Sequence, residues 1–138
     1  MKIRRPGSEN EEVTSAYMNS GFRAGEPTIS LPIPLAKLLG FDVKHATLSE
    51  DYMAYGGTYP NVRILGTVEV KVNVPDKETK WISAKAICME GEEETLLSRE
   101  LIGLMRIIPD YESGVWRFKD DPPNVTRKEA QPQYWVEE

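Results

Sequence analysis

Soft ligands are nearly absent from this chain of 138 residues, which has one cysteine, Cys88, and one histidine, His45. One cysteine cannot close an internal disulfide, which suits a reducing compartment. So few thiol and imidazole groups argue against a zinc site. A Cys–His nucleophilic pair needs only spatial proximity. However, Cys88 alternates with Ile82, Ala84 and Ala86, and that pattern reads as a core thiol on a strand. His45 reads as a surface residue after a short helix. Long apolar runs are also missing, so no membrane span is expected. The N-terminal Met1-Lys2-Ile3-Arg4-Arg5-Pro6-Gly7 lacks the apolar stretch of a signal peptide, and the chain reads as cytoplasmic. A basic face is missing too. The 17 Lys and Arg stand against 22 Asp and Glu, for a net charge of −5. The densest charge run, Glu90-Gly91-Glu92-Glu93-Glu94, is acidic and reads as a solvated loop. No nucleic-acid partner is expected.

What is present fits one globular domain. Hydrophobic residues make up 40% and charged residues 28%, which leaves room for a core. Val68, Val70, Val72 and Val74 alternate with polar residues, as in a strand with one buried face. Pro75-Asp76-Lys77 turns the chain, and Trp81 to Met89 returns as the partner strand. Residues 13–18 read as a short first strand. Pro34 opens a helix whose Leu35, Leu38 and Leu39 share a face, with Gly40 as its stop. Gly56-Gly57, between Tyr52, Tyr55 and Tyr59, reads as a hairpin tip. Ser98 is placed to cap a second short helix. Ile107 to Tyr111 and Val115 to Phe118 form a last hairpin around Ser113-Gly114. The expected organisation is a flexible arm over residues 1–12, a domain over 13–118 and a polar, proline-bearing tail over 119–138. Tyr134-Trp135-Val136 is the part of that tail with the means to dock. The fold class is mostly β, a small closed barrel with one or two short helices.

Two blocks carry more than fold class. The first is Asn19-Ser20-Gly21-Phe22, followed by Leu31-Pro32 and Leu35-Ala36-Lys37-Leu38-Leu39-Gly40. The second is Leu96-Leu97-Ser98-Arg99-Glu100-Leu101, followed by the last hairpin. In this order they resemble the retropepsin-like aspartic peptidases, in which an Asp-Thr/Ser-Gly turn carries the catalytic acid. The Gly56-Gly57 hairpin stands where that family has its flap. The resemblance implies a homodimer with its site on the twofold axis and a flap around Tyr55, Gly56 and Gly57. It implies a peptide or unfolded polypeptide as substrate and no cofactor. Ser20 would lock the paired turns, and Gly21 would allow close backbone approach.

Asn19 stands where the family has its catalytic aspartate. An amide has no titrating proton near neutral pH and cannot act as a general base. The expected protein therefore has the peptidase architecture and is inactive as written. The alternative is a non-catalytic peptide-binding or dimerisation module on the same fold. An engineered replacement, a natural loss and slow deamidation all remain open as histories of position 19. So does an ordinary turn asparagine in an unrelated β-fold. Two further departures from the family pattern are Ser98, where glycine is usual, and a longer segment between Gly21 and Pro32. Asp110 reads as structural, and Glu26, Asp42 and Asp51 as loop residues without an evident partner.

Overall fold

The longest strand explains the shape of the domain. In the computed structural model, which describes residues 1–49, 52–54, 57–59 and 62–137, the chain opens with β1 (Lys2–Arg4), β2 (Glu11–Val13), β3 (Tyr17–Met18) and β4 (Thr28–Ser30). Helix α1 (Ile33–Leu38) and a 3-10 turn (Val43–His45) follow. Next come β5 (Thr47–Ser49), β6 (Tyr52–Ala54), β7 (Gly57–Tyr59), β8 (Val62–Lys71) and β9 (Ile82–Met89). The chain ends with β10 (Leu96–Leu97), α2 (Arg99–Leu104), β11 (Ile107–Asp110), β12 (Val115–Phe118) and β13 (Arg127–Lys128). The main sheet runs β2-β1-β8-β9-β4-β10-β3, with β5 also paired to β8. It curls into a half-barrel; among the described residues its two end strands do not pair, so the closed barrel expected from sequence is not seen. Strands β11, β12 and β13 form a small second sheet.

Strand β8 begins earlier than the valine ladder suggests and changes face midway. Its register with β9 slips between Ile64 and Gly66. A one-residue slip reverses which side chains face which side of a sheet. Accordingly Val62 and Ile64 pack with Phe22, Ile87, Met89 and Leu96, whereas Leu65, Val68 and Val70 pack in the larger core with Ile29, Leu35 and Leu101. Gly66 adopts φ +139°, a conformation that side-chain-bearing residues rarely reach. Strand β9 serves both cores: Ala84, Ala86 and Cys88 face one, Ile87 and Met89 the other.

The two chain ends differ from expectation. Residues 1–12 supply β1 and β2 instead of a flexible arm. Ile3 pairs with Val70 and is fully buried, while Pro6 and Gly7 lie in the turn to β2. Arg4 binds Glu69 at 3.0 Å and lies over the Trp81 ring at 3.8 Å. The expected first strand over 13–18 is split, because Val13 ends β2 against β1 and Tyr17 starts β3 against β10. Ile3→Ala is expected to cost about 2–5 kcal/mol, as for other buried large-to-small changes. The midpoint of urea unfolding measures it, and a loss under about 0.5 kcal/mol, the scale of an ordinary surface change, would return residues 1–12 to a loose arm.

The C-terminal segment is tied down by charge and by one indole. Arg127 on β13 binds both Asp76, at 2.6 Å, and Asp121. The Trp135 indole donates to the Thr14 hydroxyl at 2.9 Å, and its backbone N–H donates to the Glu93 carbonyl at 2.7 Å. The segment over 119–137 is thus tied to the domain at points such as Asp121, Arg127 and Trp135, while most of its residues are exposed. Among the described residues, no helix is long and apolar enough to cross a membrane.

Candidate functional site

The Asn19 turn is built by two chain segments that cross. Strand β10 lies between β3, to which it is parallel, and β4, to which it is antiparallel. The loop from β3 to β4 therefore wraps the start of α2. Backbone bonds fix this crossing: Asn19 N–H donates to the Leu97 carbonyl at 3.3 Å, and Arg99 N–H to the Phe22 carbonyl at 2.9 Å. Phe22 N–H closes the turn on the Asn19 carbonyl at 3.0 Å. Phe22 itself is fully buried and anchors the turn in the smaller core.

Asn19 is only 7% exposed. Its Oδ1 accepts from Gly21 N–H at 3.0 Å, which sets the orientation of the amide, since only the oxygen can accept. A side chain on Gly21 would stand 3.3 Å from that oxygen, so the third turn position has almost no room for a Cβ. Among the described residues the Asn19 Nδ2 is buried without a partner. Such a donor normally costs about 1–3 kcal/mol. Ser20 is exposed beside it.

Three side chains that sequence reading did not assign to the turn hold it. The Ser98 hydroxyl accepts from Leu101 N–H at 3.2 Å, as the expected helix cap, and also from Thr28 N–H at 3.0 Å on β4. The Glu100 carboxylate accepts from the N–H groups of Ala24 and Gly25, at 3.1 and 3.2 Å. Tyr111 donates its hydroxyl to the Met18 carbonyl and packs against Tyr17, ring centroids 6.4 Å apart. Burial, then the nearby Tyr17, raises the Tyr111 phenol pKa, and hydrogen bonding with Ser20 opposes them.

Burial also acts to raise the Glu100 pKa. The N–H donors of Ala24, Glu100 itself and Gly25, with the Ser98 hydroxyl, outweigh it and hold the carboxyl below the usual glutamate value. A depressed folded-state pKa means stability that is present above the unfolded value and lost as pH falls through the folded one. Glu100→Gln is expected to cost about 1–2 kcal/mol at neutral pH. Its stability should also fall less than the wild type's as pH drops below about 4.3. Parallel acid limbs for the two proteins in chemical denaturation would contradict the clamp.

The remaining predicted positions separate. Gly57 starts β7, which pairs with β6 as a two-stranded antiparallel unit in register Ala54↔Gly57. The other two flap positions, Tyr55 and Gly56, lie outside the described residues. Cys88 is buried on β9, and burial pushes its thiol up to about 11, so it is not a nucleophile at neutral pH. His45 is exposed and bonds Asp42 at 2.8 Å, a partner that spacing alone did not suggest. Among the described residues, no group of three or more His, Cys, Asp or Glu is placed to hold a metal ion.

Comparison with known proteins bears on the architecture. No family model matches the chain, and no curated protein does. Among solved structures, the retroviral protease-like domain of Ddi1 from Leishmania major is similar, with a TM-score of 0.55 at 10% identity. The alignment covers 94% of this chain and 91% of that one. At that identity the likeness concerns architecture alone, and the architecture of this chain is the retropepsin-like fold.

Proposed function

We propose that this chain forms a homodimer in which two Asn19-Ser20-Gly21 turns meet across a twofold axis. The paired turns floor a groove for an extended peptide. In this reading the protein has the architecture of an aspartic endopeptidase and does not hydrolyse peptide bonds as written. The observation that carries the proposal is Asn19 itself. It is buried in an Asx-Ser-Gly turn, its oxygen held by Gly21 N–H at 3.0 Å and its Nδ2 without a partner among the described residues.

Exposed apolar residues near the turn favour a partner there. Tyr17 is 43% and Tyr111 46% exposed, and they touch each other beside Met18. A twofold interface uses the same patch on both copies. Chemically, one amide per chain leaves the dimer without a carboxylate to take a proton from water. The turn keeps its shape because Asn accepts from Gly21 N–H as a carboxylate does. The test is the Asn19→Asp variant, assayed on an unfolded protein substrate with and without pepstatin. A gain of pepstatin-sensitive cleavage supports the peptidase architecture. No gain, with peptide binding intact in calorimetry, moves the protein to a non-catalytic peptide-binding module.

A further inference from the structure

A cavity of about 430 Å³ lies between β3 and the small C-terminal sheet, and Asn19 does not line it. Its walls include Met18, Val72, Leu97, Met105, Ile107 and Trp116. Small-molecule sites commonly span about 300–1,000 Å³ and are mostly apolar, so both size and lining fit one. The charged groups on the walls balance, with the Met1 ammonium, Arg127 and Lys128 against Asp76, Glu94 and Glu129, and several of the polar ones are engaged. Thr14 donates to the Ser15 carbonyl and accepts from the Trp135 indole, each at 2.9 Å. The Ser15 hydroxyl accepts from Gln133 N–H at 2.7 Å, and Tyr111 is committed to the Met18 carbonyl. Arg127 is neutralised by Asp76 and Asp121.

We propose that this cavity binds one neutral, largely hydrocarbon small molecule. A charged ligand would lose its hydration and meet walls whose positive and negative groups balance, with no net counter-charge to repay the loss. Met18 and Met105 are unbranched and adapt to the outline of an apolar guest, and Trp116 offers an aromatic face. The C-terminal segment has a role in this arrangement. Ala130 and Pro132 complete the rim, and Trp135 pins that segment to Thr14 just beyond it.

N-phenyl-1-naphthylamine, a neutral fluorophore, tests the site by titration into the full chain. One saturable site per chain is expected, with energy transfer from tryptophan. Its sulfonated analogue, 1-anilinonaphthalene-8-sulfonate, should bind at least about ten-fold more weakly, a difference set by charge on a common ring skeleton. Ala16→Phe and Val74→Phe each place a ring in the cavity and should weaken the neutral probe by at least about ten-fold at unchanged melting temperature. Asn19→Asp should bind it as the wild type does, which separates this site from the turn. Absence of saturable binding to the wild type would overturn the proposal. So would equal binding of the two probes, or undiminished binding by whichever filling variant folds.

Discussion

Changing Asn19 to aspartate is expected to raise peptide-bond hydrolysis by on the order of 10³–10⁴-fold over the chain as written. The magnitude is that of supplying a positioned general base, together with its partner acid, to the proposed dimeric site. Geometry should survive the change, because a carboxylate oxygen accepts from Gly21 N–H as the amide Oδ1 does at 3.0 Å. The other oxygen replaces Nδ2, the buried donor that has no partner among the described residues, and the proposed dimer would bring two such carboxylates close together. Two carboxylates held that closely share one proton, since both cannot ionise together. Activity of the variant should therefore be bell-shaped in pH, with apparent pKa values belonging to the pair. Cleavage that persists in the Asn19 protein at the variant's rate would show that another group does the chemistry.

Removing one hydroxyl should produce the largest stability effect near the site. Ser98→Ala is expected to cost about 2–4 kcal/mol, and to lower the melting temperature by about 10 °C. Ser98 is fully buried and accepts two backbone N–H groups, one in its own helix and one from Thr28 on β4. Alanine leaves Thr28 N–H buried without that acceptor. The same change loosens the crossing that holds Asn19, because of the two bonds between position 98 and Thr28 it leaves only the backbone N–H on the Thr28 carbonyl at 2.9 Å. In the Asn19→Asp background, activity should fall along with stability. A Ser98→Ala protein that melts within about 2 °C of the parent would reduce Ser98 to an ordinary helix cap.

Local signals in the chain were enough for several elements. Pro34 stands in the first turn of α1, Ser98 caps α2, and the last hairpin pairs Ile107 with Phe118. Each of these depends on neighbours a few residues away. The misread parts depend on distant partners. Ile3 becomes a core residue only because Val70 pairs with it, and Arg127 is held by Asp76, 51 residues earlier. The face change in β8 rests on one bulge at Gly66, which a period-two pattern cannot reveal. The candidate site divides in the same way. Asn19, Ser20 and Gly21 were legible as a turn motif. The Glu100 clamp reaches across 76 residues, and Tyr111 across 93, so neither leaves a mark in local spacing.

Everything proposed for position 19 requires two copies of the turn. Sedimentation equilibrium of the chain as written, over a wide concentration range, tests this most directly. The account predicts a species of twice the 15.6 kDa chain mass. A mass of 15.6 kDa at every concentration, with no peptide-induced association, would contradict it.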